Sequence, residues 1–252
     1  MTATPQVTRA TLRSPIFDGV EGAIVDRLLG QSATRVMAAD ELVLDEQQEA
    51  DRFFILHAGS VKVFYRSPEG VQVVVKLFRA PAVFGEMECL TEIRYVEAVH
   101  TLEKSIIVVV PKAALLEALR LSHALSLNLL KDVAARLCIA AQNERSLTFH
   151  PLETRLANLF LTYIEFYGLP AEDGILIRIP LTQTDLANAI GTVRRSITRV
   201  LQGWQRDGIV IRRQGRYVVR DSTKLARVSD PELLRIGYRL GVPLRPHGAA
   251  DR

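Results

Sequence analysis

The chain has 252 residues, 48% hydrophobic and 24% charged, which is long enough for two domains and excludes wholesale disorder. Its net charge of +4 is uneven: residues 1–150 hold 16 basic and 18 acidic side chains, residues 151–252 hold 16 and 10. Apolar runs such as Ser105–Val110 are too short to span a bilayer, and the polar start from Met1 to Arg13 lacks a secretion signal. The expectation is a cytoplasmic protein with no membrane partner. Cys89 and Cys138 show no CxxC spacing and are too few for a four-cysteine zinc site or iron–sulfur cluster, so they read as reduced thiols.

From about Asp40 to Pro111 the chain alternates short apolar runs with turn formers. Phe53–Leu56, Val61–Tyr65, Val71–Phe78, Val96–Val99 and Ile106–Val110 are expected strands, with Gly59 and Ser67-Pro-Glu-Gly70 as turns between them. Strands at this spacing predict a sandwich or barrel of the jelly-roll type. Leu115 to Leu147 then reads as one helix with apolar residues at three- and four-residue steps. That stripe either folds onto its own barrel or packs on a second copy of itself. The excess of apolar surface favours a homodimer, with Leu130, Val133, Leu137 and Ala141 in the interface.

His150-Pro151 interrupts the helix and is a candidate hinge, since proline disfavours helical geometry in the residue before it. Pro151–Tyr167 is a second amphipathic helix closed by Gly168, and Ile175–Ile179 is a short strand ended by Pro180. Beyond Ser222 a helix start is expected over Ser229–Glu232, in an extension whose role is open.

The stretch 181–220 holds 8 basic and 2 acidic residues, a local field that attracts phosphate backbones. Leu186, Ala187 and Ile190 line one face of a first helix, Gly191 turns the chain, and Ile197, Val200, Leu201 and Trp204 line the second. Arg194, Arg195, Ser196 and Arg199 are thereby left on the outer face, where base edges and phosphates lie in reach. Thr182, Gln183, Thr192 and Thr198 complete the set from these helices. Gly208–Val219 reads as a hairpin with Arg212, Arg213 and Arg216 around its tip, a wing. Helix-turn-helix followed by basic wing predicts binding to double-stranded DNA.

Over about residues 15–220 this arrangement resembles the CRP/FNR family of transcription regulators. Phe53–Val63 resembles the family's strand-glycine-strand signature, and Phe84-Gly-Glu86 resembles the start of its phosphate-binding cassette. The resemblance implies an α+β fold: a double-stranded β-helix sensor at 15–114, a dimerisation helix and hinge at 115–150, and a winged helix-turn-helix at 151–221. Residues 222–252 form an extension. It also implies a sequence-specific regulator acting as a homodimer on a palindrome, with Arg194, Arg195 and Arg199 at base-reading positions, Ser196 and Thr198 nearer phosphates, and RNA polymerase as a further partner. Its effector pocket would involve Gly85, Glu86, Arg94, Tyr95, Ala140 and Ala141.

Several of those positions depart from the cyclic-nucleotide-binding members. The arginine that would neutralise a cyclic phosphate falls on Tyr95, with Val96 after it, and Arg94 stands one place early, on the opposite face of a strand. Glu88 replaces a small residue, and Ala140 and Ala141 stand where hydroxyl side chains would hold adenine. The expectation is therefore an effector other than cAMP, or none, and no cofactor. His57, His100, Cys89 and Cys138 are the residues left as candidate haem ligands.

Two rivals come from other classes. A cupin-type metal enzyme needs His-x-His with further ligands, whereas the five histidines, at 57, 100, 123, 150 and 247, are dispersed, so neither a metal site nor an enzyme is expected. A ligand-sensing module whose winged helix docks protein would lack the salt dependence of DNA binding.

Overall fold

A computed structural model describes residues 7–66, 72–179 and 181–230. The turn expected at Ser67–Gly70, the strand end at Pro180 and the helix expected from Ser229, beyond Asp230, fall outside them. Contacts gather into two units, Met1–Ala134 and Ala135–Arg252.

After a 3₁₀ turn at Pro15–Phe17, the first unit runs through α1 (Gly22–Gly30), β1 (Ala33–Met37), β2 (Leu42–Leu44), β3 (Arg52–Ala58) and β4 (Ser60–Arg66). It continues with β5 (Gln72–Arg79), β6 (Ala82–Phe84), α2 (Glu86–Thr91), β7 (Ala98–Thr101), β8 (Ser105–Pro111) and α3 (Lys112–Leu121). The strands make two antiparallel four-stranded sheets, in the orders β1-β8-β3-β6 and β2-β7-β4-β5. This is the expected jelly roll.

Strand β3 explains why its sequence shows no alternation. Phe53 and Ile55 enter a core with Leu115 and Ala118 of α3, while Phe54 and Leu56 enter a second core with Val61, Val63 and Val99. Strand β8 divides likewise, Val108 and Val110 against Ile107 and Val109. A strand covered on both faces reads as one continuous apolar run.

The helix expected to run unbroken from Leu115 to Leu147 is two helices, α3 and α4 (His123–Phe149). Ser122 between them is extended, with φ −127° and ψ 108°. Its backbone N–H closes α3 on Ala118 O at 3.0 Å, and its Oγ accepts from Leu125 N at 3.1 Å. Serine favours this capping role because its hydroxyl satisfies a backbone donor that a helix start leaves open. Leu115 consequently lies in the sensor core and not on a dimer stripe.

The second unit runs α5 (Leu152–Tyr167), β9 (Gly168–Ala171), β10 (Gly174–Ile177), α6 (Gln183–Ala189), α7 (Arg194–Arg206), β11 (Val210–Arg213), β12 (Arg216–Val219) and α8 (Ser222–Val228). Its antiparallel sheet has the order β11-β12-β10-β9. Helix α8 was not expected from the sequence; Asp221 caps its start by accepting from Lys224 N at 2.8 Å.

Replacing Ser122 with Ala should remove the cap between α3 and α4 and cost about 1 kcal/mol. Urea unfolding followed by circular dichroism checks this; an unchanged midpoint would mean that Ser122 does not hold the break.

Candidate functional site

The first helix of the DNA-binding motif is locked at its start. Thr182 Oγ1 accepts from Asp185 N at 3.1 Å, and Asp185 Oδ2 accepts from Thr182 N at 2.8 Å, a reciprocal capping box. Gln183 follows, and its Oε1 accepts from Thr198 Oγ1 at 2.7 Å, tying the start of α6 to the side of α7. The hydroxyl proton expected to face phosphate at Thr198 is thus committed within the protein.

Gly191 makes the turn at φ +63°, in the left-handed region that favours glycine. The turn is held from two sides: Thr192 N donates to Ala187 O at 2.9 Å, and the Arg155 guanidinium of α5 donates to Ile190 O at 2.7 Å.

Helix α7 then buries Ile197, Leu201 and Trp204 and exposes Arg194, Arg195 and Arg199, with Ser196 half-buried. Trp204 sets its roll. The indole lies edge-on to Phe160 with centroids 5.6 Å apart, and its Nε1 donates to Glu153 Oε1 at 2.9 Å. Phe160 meets Tyr217 of β12 at 5.3 Å, so helix and wing share one aromatic core.

The wing is a two-residue hairpin whose tip, Gln214-Gly215, has φ 49° and 78°. Two successive positive φ values suit the twist of antiparallel strands. Arg213 is paired with Asp173, in the turn between β9 and β10. Arg212 sits over the Tyr217 ring at 5.6 Å, and Arg216 is exposed. Sequence reasoning missed Asp173, which lies 40 residues from its partner.

Within the first unit, Gly85, Glu86, Arg94 and Tyr95 differ in setting. Tyr95 is buried, and its Oη donates to Arg52 O at 2.5 Å, within a core that stacks Phe54 on Phe84 at 5.1 Å. Burial pushes the Tyr95 phenol well above its ordinary value. Arg94 points to solvent and donates to Gln47 O at 2.6 Å. Gly85 has φ +79°, and a Cβ there would sit 3.1 Å from the Phe54 ring, so its glycine has a packing reason. Glu86 and Glu88 are buried in α2, whereas Ala140 and Ala141 are exposed on α4. The Cys89 thiol donates to Arg52 O at 3.1 Å, and burial pushes it up to about 11; Cys138 is exposed on α4, His57 lies on β3 and His100 on β7.

Helix α4 carries an exposed apolar stripe at Leu127, Leu130, Ala134, Leu137 and Ala141, with Leu130 at 64% and Leu137 at 69% exposure. These residues alternate three- and four-residue steps, the spacing of a coiled-coil seam. Val133, expected in the stripe, is half-buried beside it.

Residues 34–122 match the cyclic nucleotide-binding domain family, and residues 154–228 match the Crp-like helix-turn-helix domain family. The chain is 26% identical over 216 residues to a CRP-like cAMP-activated global transcriptional regulator of Mycobacterium tuberculosis, covering 85% of this chain and 96% of that one. It is 24% identical over 201 residues to an anaerobic regulatory protein of Bacillus subtilis, covering 79% and 84%. Among solved structures, a CRP-family transcriptional regulator from Thermus thermophilus shares the fold with TM-score 0.65 and 20% identity, over 77% of this chain and 95% of its own.

One group in the second unit was not singled out from sequence. Glu165 of α5 is half-buried, its Oε1 has no hydrogen-bond partner among the described residues, and burial pushes its carboxyl up to about 7. A raised acid pKa means the folded state holds the extra proton, so stability should fall as pH rises from about 4.5 to about 7 and level off above. Glu165→Gln should remove that decline, as read by urea midpoints across the range. A decline that persists in the variant would assign it to another group.

Proposed function

The chain is a transcription regulator of the CRP/FNR type, and on that premise we propose that it works in the cytoplasm as a homodimer on a palindromic DNA site, with RNA polymerase as a further partner. The observation that carries this reading is the roll of α7: burial of Ile197, Leu201 and Trp204 leaves Arg194, Arg195 and Arg199 exposed on one outer surface. No helix among the described residues is long and apolar enough to cross a membrane.

Arg194, Arg195 and Arg199 read bases. Thr182, Gln183, Thr192, Ser196, Thr198, Arg212, Arg213 and Arg216 position the domain on the backbone, through side chains or through the elements they hold. Arginine only donates hydrogen bonds, and its best partner in the major groove is the O6/N7 edge of guanine. Arg195 should therefore select guanine, and Arg195→Ala should cost on the order of 1–3 kcal/mol and relax selectivity at one base pair per half-site. Selection of sites from random duplexes, run on both proteins, decides this. Identical motifs with only affinity reduced would mean that Arg195 touches phosphate alone.

The stripe on α4 supports the dimer, because one helix cannot hide it and a second copy in register can. Two half-sites then lie about one helical turn, ~34 Å, apart. Leu137→Asp places charge in the seam and should yield monomers at micromolar concentration by sedimentation. A persisting dimer would move the interface elsewhere.

We infer that any effector of this chain is a molecule other than cAMP. Tyr95 stands in the core where a guanidinium would be needed, Arg94 is turned to solvent, and Ala140 and Ala141 offer no side-chain hydrogen bond. A site built on hydrogen bonds loses most of its affinity when those partners are absent. Calorimetry with cAMP and cGMP should show no binding at micromolar concentrations; a micromolar dissociation constant would overturn this reading of the pocket.

A further inference from the structure

Val193 occupies a place where neither folding nor capping explains it. It is the N-cap residue of α7, in extended geometry with φ −94° and ψ 146°, and it makes no side-chain cap hydrogen bond. Serine, threonine, aspartate or asparagine is the favoured residue at such a position. The residue is 66% exposed, against 43% for Leu169. Its carbonyl is already engaged, accepting from Ser196 N at 3.0 Å, so the backbone is fixed and only the side chain is left open to solvent. Because the residue is extended and not helical, that side chain stands at the tip of α7, one residue before the exposed Arg194 and Arg195.

The tip of this helix is the part that enters the major groove. There the C5-methyl of thymine is the apolar group displayed by the base pairs, and an aliphatic side chain is its natural complement. An isopropyl group can neither donate nor accept a hydrogen bond, so it discriminates by methyl contact alone.

We propose that Val193 is a specificity-determining residue of the DNA site, packing on the C5-methyl of a thymine at one fixed position in each half-site, beside the pairs read by the arginines. The role rests on the DNA-binding reading above. It adds a contact of opposite chemistry: the arginines recognise hydrogen-bonding edges, and Val193 recognises a methyl group. Cytosine at that position lacks the methyl, so selection there would be for T against C.

Deoxyuridine isolates the contact, since dU keeps the pairing and groove oxygen of dT and lacks only the methyl. Using the full-length protein and the site selected from random duplexes, each dT is replaced by dU, symmetrically in both half-sites. One position should weaken wild-type binding about fourfold per half-site, the equivalent of one buried methylene-sized group, and roughly fifteenfold for the dimer. Val193→Ala and Val193→Ser should bind the dT site more weakly and show no further loss on dU at that position. Val193→Ser restores a favoured cap, so a folding defect cannot account for its loss. The proposal is overturned if no dU position weakens the wild type, if the loss persists undiminished in both variants, or if both variants weaken all duplexes alike. Failure of the wild type to select any site would instead overturn the DNA-binding reading, and this role with it.

Discussion

The edge-to-face packing of Trp204 on Phe160, which also packs edge-to-face on Tyr217, governs what the C-terminal unit presents to solvent. An α-helix advances about 100° per residue, so rolling α7 by a single position would swing its arginines toward the core and its aliphatic residues outward. A guanidinium buried without a partner is far costlier than any packing it could replace. The indole hydrogen bond to Glu153 removes the remaining freedom. Because Tyr217 belongs to β12, the same Phe160 ring that holds the recognition helix through Trp204 also holds the root of the wing.

Those features were legible in the sequence because they are local. Leu186, Ala187 and Ile190, then Ile197, Val200, Leu201 and Trp204, follow helical spacing on either side of one glycine, and all are buried except Val200, which is half-buried. The strands β3 and β8 were legible as apolar runs, yet their service to two separate cores was not, since a run buried on both faces carries no phase. Short strands such as β1, β2, β6 and β9 were not foreseen, having three to five residues and little alternation. Ser122 went unread because a serine inside an otherwise helical stretch gives no sign of which way its hydroxyl turns. Pairs formed across the chain were out of reach for a plainer reason: Arg213 with Asp173 and Tyr95 with Arg52 depend on tertiary structure that no sequence window contains.

The effector region illustrates how a residue that matches a signature can also have a packing role. Phe84-Gly-Glu86 resembles a phosphate-binding cassette, yet in this chain the glycine is needed so that the backbone can pass the Phe54 ring. The aromatic residues Phe54, Phe84 and Tyr95 stabilise the barrel by burial and stacking, and a tyrosine hydroxyl closes on a backbone carbonyl. Beside these aromatics, Glu86 and Glu88 are buried in α2, so the stretch after Phe84 packs acidic side chains as well as apolar ones.

The chain holds one tryptophan, and it is this buried, hydrogen-bonded indole. Its fluorescence is therefore a private reporter of the helix-turn-helix unit and blind to the β-rich unit, which has tyrosines and phenylalanines but no indole. Circular dichroism registers both. Where the two signals diverge during unfolding, the gap between the curves measures how far sensor and reader lose structure as separate bodies, and where they coincide, the chain melts as one.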